Sequence, residues 1–223
     1  MLWGFRGRCS FRQYMRNKPA KYGIKVFSLV DARTFYVANM EIYLGRQPEG
    51  LYKILQTPAE VVTRLITPIN KSGRNVTHDN WFTSIPLAHK LLHDHNLTTV
   101  GTVRKNKKEL PERFTNSRDR HVNSSLFGFG KNNTTLVSYV PKKGRVVVLL
   151  STMHNSKTID PDSGDAKKPE IITFYNTTKG GVDVVDEMCS TYSTARKTNR
   201  WPLTAFFHLL DVILSVICQV TKG

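Results

Sequence analysis

The segment Asn75-Val76-Thr77-His78-Asp79-Asn80-Trp81-Phe82-Thr83-Ser84 decides the fold prediction, because it joins a strand to a helix through one acidic turn. Residues 75–77 are β-like, and Ser84-Ile85-Pro86 has the N-cap residue and the early proline of a helix start. Asp79 is therefore expected where a strand ends and a helix is about to begin. Functional side chains of α/β proteins usually lie at such strand ends.

The sequence on the N-terminal side and just beyond this segment predicts a mixed α/β arrangement. Residues 22–30 and 34–44 are rich in β-branched and aromatic residues, and Asp31-Ala32-Arg33 between them is typical of a hairpin turn. Thr57-Pro58-Ala59-Glu60 predicts the start of a first helix, and residues 97–103 predict another strand. Strands alternating with helices in this way indicate a sheet flanked by helices.

The second half of the chain is more polar before it becomes apolar again. Two strands are predicted at residues 134–140 and 145–150, inside a stretch of mainly β and loop-like character. Core-like sequence resumes at residues 171–175, and Trp201-Pro202 predicts the start of a closing helix.

The charge balance of the chain points to a polyanionic partner. It has 33 Lys and Arg against 17 Asp and Glu, a formal net charge of +16. This composition favours nucleic acid as the partner, although a merely basic surface has the same balance. Arginines alternate with aromatic residues in residues 4–14, which suits a strand or turn facing phosphates. The alternative for that stretch is a solvated basic edge strand.

Other compositional features exclude several classes of protein. Cys9, Cys189 and Cys218 have no metal-ligand spacing, which predicts a reducing compartment and no zinc site. The N-terminus has no signal-peptide pattern. The last apolar run is short and contains His208 and Asp211, so a buried or partner-facing helix is expected and no membrane association.

Three aspartates allow two interpretations. Asp79 suits an N-cap or an Asx turn, and Asp183 and Asp186 suit the positive end of a helix whose preceding turn is Gly180-Gly181. Asp183 and Asp186 are three residues apart, so they would share one helix face. Carboxylates at fixed points on a basic chain also suit a metal-dependent enzyme acting on DNA or RNA, in which they hold cations while Lys and Arg hold phosphates.

Six segments along the chain carry a resemblance to a known family: Gly4-Phe5-Arg6-Gly7-Arg8-Cys9, Lys18-Pro19-Ala20-Lys21-Tyr22-Gly23-Ile24-Lys25, Asp79-Asn80-Trp81-Phe82-Thr83-Ser84, Val100-Gly101-Thr102-Val103-Arg104, Lys179-Gly180-Gly181-Val182-Asp183 and Arg196-Lys197-Thr198-Asn199-Arg200-Trp201-Pro202. In this order they closely resemble the PiggyBac transposases and their transposable-element-derived relatives. The resemblance covers nearly the whole chain.

The resemblance implies an α/β fold with a ribonuclease-H-like catalytic core, a mixed sheet with flanking helices. A mainly β insertion domain interrupts that core, and a C-terminal helix follows it. The implied boundaries are 1–104 for the first part of the core, 105–168 for the insertion domain, 169–192 for the remainder of the core, and 193–223 for the start of a helical dimerisation and DNA-binding domain.

The resemblance also implies a catalytic site. The family has a triad of aspartates, with a fourth nearby, which binds two Mg²⁺ ions. Asp79 resembles the second triad member, Asp183 the third and Asp186 the accessory carboxylate. Two-metal chemistry of this kind cleaves and rejoins phosphodiesters, and carboxylates with phosphate oxygens suit Mg²⁺. In the family this implies strand cleavage and joining at TTAA targets through hairpin intermediates.

The partners implied are double-stranded DNA and a second copy in a possible homodimer, with a nuclear location, no membrane and no small-molecule substrate. Arg104 and Lys107 lie in a segment resembling a DNA-contacting stretch. The residues predicted to bind DNA are Arg6, Arg8, Arg104, Lys105, Lys107, Arg196, Lys197 and Arg200.

One departure from the family pattern alters the functional expectation. The first triad aspartate would fall just before Met1, and no acidic residue precedes Asp31. The Cys-rich zinc module that reads transposon ends is not matched either. We therefore expect a transposase-derived segment that is inactive by itself, because a two-metal site lacking one carboxylate leaves a cation under-neutralised. The alternatives are a non-catalytic DNA-binding module and a decaying copy without a role.

Overall fold

The computed structural model describes the backbone of residues 1–220 and the side chains of residues 1–217. The strands of this part are β1 Leu2–Gly4, β2 Gln13–Tyr14, β3 Tyr22–Val30, β4 Val37–Ile42, β5 Asn75–His78, β6 Thr98–Thr102, β7 Ser125–Phe129, β8 Thr135–Lys142 and β9 Arg145–Ser151. The α-helices are α1 Pro58–Leu65, α2 Ile85–His95, α3 Glu112–Thr115, α4 Glu170–Thr178, α5 Gly181–Thr191 and α6 Trp201–Val220. Short 3₁₀ turns span Thr67–Ile69 and Pro161–Ala166.

The chain forms two compact units. The first consists of Met1–Pro68 together with Gly180–Gly223, and the second is the continuous stretch Ile69–Lys179. The first unit is therefore discontinuous in sequence, since the chain leaves it after α1 and returns to it at α5.

The first unit is built on an antiparallel sheet. Strand β3 pairs with β1, β2 and β4, and the register places Trp3 opposite Ile24. Trp3, Phe5, Ile24 and Val26 form an apolar cluster with Ala205 of α6. The sheet thus buries one face against a helix from the far end of the sequence.

Side-chain hydrogen bonds stabilise both ends of helix α1, and the first of them was predicted from the sequence. The Thr57 hydroxyl accepts a hydrogen bond from the Glu60 amide, and Pro58 occupies the first turn. At the other end, the Asn39 side chain on β4 donates to the carbonyls of Arg64 and Leu65 in the last turn.

The second unit contains a mixed five-stranded sheet in the order β5-β6-β9-β8-β7. Strands β5 and β6 are parallel, and the other neighbours are antiparallel. A parallel pair needs a crossover connection, and α2 supplies it. Alternation along β9 sends Leu150 toward Ala88 of α2 and Leu149 toward Ile171 of α4, so that the two helices cover opposite faces of the sheet.

The α/β class predicted from the sequence is confirmed. Helices α1 and α2, which begin after capping residues, lie where they were predicted, and so do α6, the β3–β4 hairpin and the β8–β9 strands. Strand β2 lies in the stretch that was expected to be a strand or turn. The sequence did not predict β7 or α3, and residues 171–175 are helical. Strands β8 and β9 from the stretch 105–168 share a sheet with β5 and β6, while the four domain boundaries stay predictions. No helix in the described part of the chain has the length and apolarity needed to cross a membrane.

Candidate nucleic-acid interface

Asp79 lies directly after the carboxyl end of β5, in the parallel part of the second unit's sheet. Its Oδ1 accepts hydrogen bonds from the amides of Trp81, at 2.8 Å, and Phe82, at 3.3 Å. This is an Asx turn. The side chain is exposed, and within the described residues Oδ2 makes no hydrogen bond, so one carboxylate oxygen is fixed and the other faces solvent.

Thr83 stabilises the turn that carries Asp79 through two hydrogen bonds. The Thr83 hydroxyl donates to the Asp79 carbonyl at 2.8 Å, and the Thr83 amide donates to the same oxygen at 3.2 Å. Thr83 is buried against Gly101 of β6. A Cβ on Gly101 would overlap the Thr83 hydroxyl and lie 3.0 Å from the His78 carbonyl oxygen, so only glycine leaves room for the turn.

Replacing Gly101 by Ala is therefore expected to lower the free energy of unfolding by about 2 kcal/mol, because the added methyl group displaces Thr83 from the turn. Urea unfolding followed by circular dichroism measures this. Gly50→Ala is the matched control, since a Cβ there meets no atom within 4 Å, and it should change stability by less than about 0.5 kcal/mol. Equal effects of the two substitutions would contradict the close-packing explanation.

Arg104 follows β6 and lies at the same edge of this sheet as the Asp79 turn. Its Nε donates to Asn80 Oδ1 at 3.3 Å. The Lys107 amide donates to the Arg104 carbonyl at 3.1 Å, which forms a turn with Arg104 and Lys105 exposed. A guanidinium and a carboxylate-bearing turn are thus neighbours here, and both charges are open to solvent.

Asp183 and Asp186 lie on α5 of the first unit, on one helix face as their spacing predicted. Lys18 Nζ is 2.9 Å from Asp186 Oδ2 and 3.8 Å from Asp183 Oδ1. The Asp186 side chain is 25% exposed and that of Asp183 is 81% exposed. Gly181 at the start of α5 is buried beside Val30 at the end of β3.

Two loops from opposite ends of the sequence meet in the first unit. A Cβ on Gly7 would lie 2.6 Å from the Asn199 carbonyl oxygen, so the two backbones approach as closely as glycine allows. Arg6, Arg196 and Lys197 line one cavity of about 380 Å³ at this contact, which we call the basic cavity. All three residues are exposed to solvent.

The loop that carries Arg6 is held by another arginine. Arg12 Nη1 donates to the carbonyls of Arg6, at 2.7 Å, and Gly7, at 2.8 Å. These bonds fix the backbone of the loop and leave the Arg6 side chain available for an anion.

The loop that leads into Arg196 is anchored by a buried aspartate on α6. Asp211 accepts hydrogen bonds from the Thr194 amide at 2.6 Å, the Thr194 hydroxyl at 2.8 Å and the Ser193 hydroxyl at 3.1 Å. His208 Nδ1 lies 3.7 Å from the same carboxylate, and its ring stacks on Trp3. Burial lowers the pKa of His208, although the Asp211 charge opposes that shift.

Comparison with known proteins identifies the family. A family model described as transposase IS4 matches residues 1–215. A solved structure of a piggyBac transposase synaptic complex with hairpin DNA is 45% identical to this chain, with a TM-score of 0.88, over 97% of this chain and 44% of that one. The chain belongs to the PiggyBac transposase family. The resemblance stated from the motifs is confirmed.

Two human relatives support the same assignment. The PiggyBac transposable element-derived protein 3 is 22% identical over 97% of this chain, and so is the chimeric ERCC6-PGBD3 protein. The chain spans 38% of the length of the first and 21% of the length of the second. It therefore corresponds to part of these PiggyBac relatives.

The residues to which the PiggyBac resemblance assigns catalytic or DNA-binding roles lie partly in one unit and partly in the other. Asp79, Arg104, Lys105 and Lys107 belong to the second unit. The first unit holds the remaining ones: Arg6, Arg8, Asp183, Asp186, Arg196, Lys197 and Arg200. Within the first unit the structure brings Asp183 together with Asp186, and Arg6 together with Arg196 and Lys197. The catalytic and DNA-binding roles of these residues stay predictions.

The carboxylates do not, as they lie, fit the magnesium centre expected of a PiggyBac transposase. In neither unit do the described side chains bring together three His, Cys, Asp or Glu residues able to hold a metal ion. Asp183 and Asp186 are instead paired with an ammonium group. Two divalent ions bound by Asp79, Asp183 and Asp186 alone would not be fully neutralised.

Sequence reasoning missed the residues that position this set. Lys18 was part of a quoted motif, but its partner Asp186 is 168 residues away, and no local pattern indicates such a contact. Thr83 gave a weak signal as a hydroxyl residue just before a helix. Arg12 and Asp211 gave no signal in the sequence. A basic residue in a basic loop, or a single aspartate in an apolar helix, is compatible with many roles.

Proposed function

We propose that this chain is a DNA-binding segment of a PiggyBac-type transposase and that it holds the backbone of double-stranded DNA. The observation that carries the proposal is the contact of Gly7 with Asn199, which places Arg6, Arg196 and Lys197 around one cavity. Guanidinium and ammonium groups converging on one opening suit phosphate oxygens. The net charge of +16 adds long-range attraction for the same polyanion.

Strand cleavage and transfer is the reaction proposed for the transposase of which this chain is a part. Asp79, Asp183 and Asp186 are the carboxylates proposed for it, and Arg104 is proposed to hold a phosphate beside the Asp79 turn. A ribonuclease-H-like core is the fold proposed for this region. The likeness to the piggyBac transposase structure and the parallel β5–β6 pair that ends at Asp79 support that fold.

A non-catalytic DNA-binding module is the second candidate. The ion pair of Lys18 with Asp186 favours it, because the ammonium group already neutralises the carboxylate that a cation would need. Under this alternative the basic cavity still binds DNA, and the aspartates serve only the fold.

The DNA-binding proposal predicts that the chain binds duplex DNA with an affinity that falls steeply with salt. Replacing Arg196 and Lys197 together by Ala should weaken binding about tenfold at moderate salt and reduce the slope of log K against log salt by about 2, since each lost phosphate contact releases about one counterion fewer. Fluorescence anisotropy with a labelled duplex at several salt concentrations measures both quantities.

The matched control removes two other positive charges. Lys142 and Lys143 are exposed in the second unit at the β8–β9 turn, so Lys142→Ala/Lys143→Ala changes the net charge equally without touching the basic cavity. Its salt slope should stay near that of the unmodified chain. An identical loss in both double variants would show that overall charge, and not the cavity, accounts for binding.

A nicking assay on the same DNA separates the two candidate functions. The enzyme candidate predicts Mg²⁺-dependent nicks that disappear in Asp79→Asn. The module candidate predicts salt-dependent binding without nicks, whether or not Asp79 is intact. Nicking that persists unchanged in Asp79→Asn would reject the assignment of Asp79. Action on DNA also places the proposed function in the nucleus, and the homodimer expected from the family stays a prediction.

A further inference from the structure

A cavity of about 310 Å³ in the second unit is lined by none of the residues to which catalysis or DNA binding has been assigned. Its lining combines the rings of Phe114 and Phe129 with the positive side chains of Arg113 and Lys131, and we call it the aromatic cavity. We propose that it binds one unpaired nucleotide of a nucleic-acid strand, with the base against a ring and the phosphate against the two charges. This site is separate from the basic cavity, and it rests on the proposed function only for the idea that the chain meets nucleic acid.

Close packing of Phe114 against Gly128 forms the apolar interior of the aromatic cavity. A Cβ on Gly128 of β7 would lie 2.6 Å from Phe114 Cζ, so the ring reaches the strand because glycine leaves room for it. Phe114 is buried, and Leu136, which is opposite Gly128 in the register of β7 and β8, also lines the cavity. An apolar interior fixed by core packing is the usual wall of a ligand pocket.

Phe129 supplies the ring that a ligand can reach. It is the last residue of β7 and is 49% exposed. Strand β7 is the edge strand of the five-stranded sheet, so no further strand of that sheet covers it in the described part of the chain. Stacking on an exposed aromatic ring is how proteins hold unpaired bases, and it requires no particular base because each base has a π-face.

Two positive charges belong to the same cavity. The turn between β7 and β8 holds the backbone of Lys131, because the Gly130 amide donates to the Thr134 carbonyl at 2.7 Å and the Thr134 amide donates to the Lys131 carbonyl at 3.2 Å. Arg113 and Lys131 are both exposed, and neither forms an ion pair with another described residue. Both charges are therefore available to phosphate oxygens.

The other polar groups of the cavity suit the edge of a base. Glu109 is exposed and accepts hydrogen bonds, and His89 Nε2 lies 2.8 Å from the Thr134 hydroxyl. An unpaired base offers hydrogen-bonding groups along its edge together with an apolar face, whereas a base inside a duplex has its faces covered by its neighbours. The net charge of +16 favours a nucleic-acid strand over an acidic peptide, since the strand carries a charge at every nucleotide.

The test measures binding of a labelled oligothymidylate, and of an abasic strand of the same length, by fluorescence anisotropy. Phe129→Ala should weaken binding of the oligothymidylate about tenfold and leave binding of the abasic strand unchanged, because only the first strand has bases to stack. Phe129→Trp keeps a flat ring and should retain the affinity for the oligothymidylate. Affinity for duplex DNA should be the same in all three proteins.

A charge variant and a matched control complete the comparison. Arg113→Gln/Lys131→Gln should lower the slope of log K against log salt for the oligothymidylate by about 1.4, since each phosphate contact on a single strand contributes about 0.7. Tyr36→Ala removes a ring of similar exposure, 54%, in the first unit, and Tyr36 does not line the aromatic cavity. Its affinity for the oligothymidylate should be unchanged.

Equal losses in Phe129→Ala and Tyr36→Ala would overturn the proposal, as would a loss in Phe129→Ala that is equally large for the abasic strand. Displacement of the labelled strand by thymidine monophosphate at the same nucleotide concentration would reassign the cavity to free nucleotides, and displacement by an acidic peptide containing Phe would reassign it to a protein partner. Adding Phe129→Ala to Arg196→Ala/Lys197→Ala separates this proposal from duplex binding. The loss for the oligothymidylate should persist in that background, whereas loss of duplex binding there concerns the basic cavity alone.

Discussion

Replacing Asp211 by Ala is expected to lower the free energy of unfolding by about 4 kcal/mol, since hydrogen bonds to a buried charge are among the strongest in a protein. The Asp211 side chain is fully buried and accepts three hydrogen bonds from Ser193 and Thr194. Removing it leaves the Thr194 amide and the Ser193 hydroxyl without their acceptor, and leaves a cavity on α6. Thermal and urea unfolding of the purified chain measure the loss.

Two comparison variants make that result specific. Asp211→Asn keeps one acceptor oxygen at the same place and should lose about half as much stability, because the Thr194 bonds to a neutral group are weaker. Asp94→Ala removes an exposed aspartate of α2 and should change stability by less than about 0.5 kcal/mol. A loss below about 1 kcal/mol in Asp211→Ala would contradict the structural role assigned to this carboxylate.

Asp211 also bears on the proposed DNA binding, because it holds Ser193 and Thr194, which lead into Arg196 and Lys197 of the basic cavity. Thr194 is two residues before Arg196, and Lys197 comes next. With the anchor removed, the loop would sample many conformations, and DNA would have to order it again on binding. Stability and DNA affinity are therefore expected to fall together in this variant, although Asp211 itself touches no ligand.

Acidification is the second change with a large expected effect. Complete burial lowers the pKa of His78 from 6.5 to about 4, so its ring is neutral in the folded protein at neutral pH. The unfolded chain binds this proton more readily than the folded one. The associated stability is fully present above about pH 6.5 and is lost as the pH falls toward 4, by about 3 kcal/mol for this one group. Urea unfolding at a series of pH values between 7 and 4 measures the loss.

The His78 contribution can be separated from that of other groups by substitution. The ring has Nδ1 at 3.0 Å from the Thr99 hydroxyl, and Nε2 is buried without a hydrogen-bond partner among the described residues. His78→Leu should flatten the pH dependence of the free energy of unfolding below pH 6.5. A pH profile of His78→Leu that parallels the unmodified chain would assign the acid sensitivity elsewhere. His154, whose pKa burial also lowers, is the next group to test.

Local sequence signals predicted much of the fold. Thr57 and Ser84 cap their helices as expected, and the turn after Asp31 is closed by hydrogen bonds from the amides of Arg33 and Thr34. These contacts join residues that are at most three positions apart, so the sequence pattern contains both partners. The Asp183–Asp186 spacing predicted a shared helix face for the same reason.

Contacts between distant residues could not be predicted in this way. Strand β9 pairs with the edge of β6. The chain has several apolar strands, and the sequence pattern does not indicate which of them pairs there. The ion pair of Lys18 with Asp186 and the contact of Gly7 with Asn199 depend on the same long-range arrangement. The sequence thus predicted which charged residues belong to the candidate site. It did not predict which of them lie together or which are paired with an opposite charge.

The discontinuous first unit has a consequence for the order in which this protein matures on the ribosome. The second unit is continuous, so all its residues are available once Lys179 has been synthesised. The first sheet must wait for Ala205 to cover Trp3 and Ile24, and the basic cavity must wait for Arg196 and Lys197. The affinity for nucleic acid that we propose for that cavity would therefore arise only after the whole second unit has been synthesised, and a product that stops short of Arg196 and Lys197 would lack it.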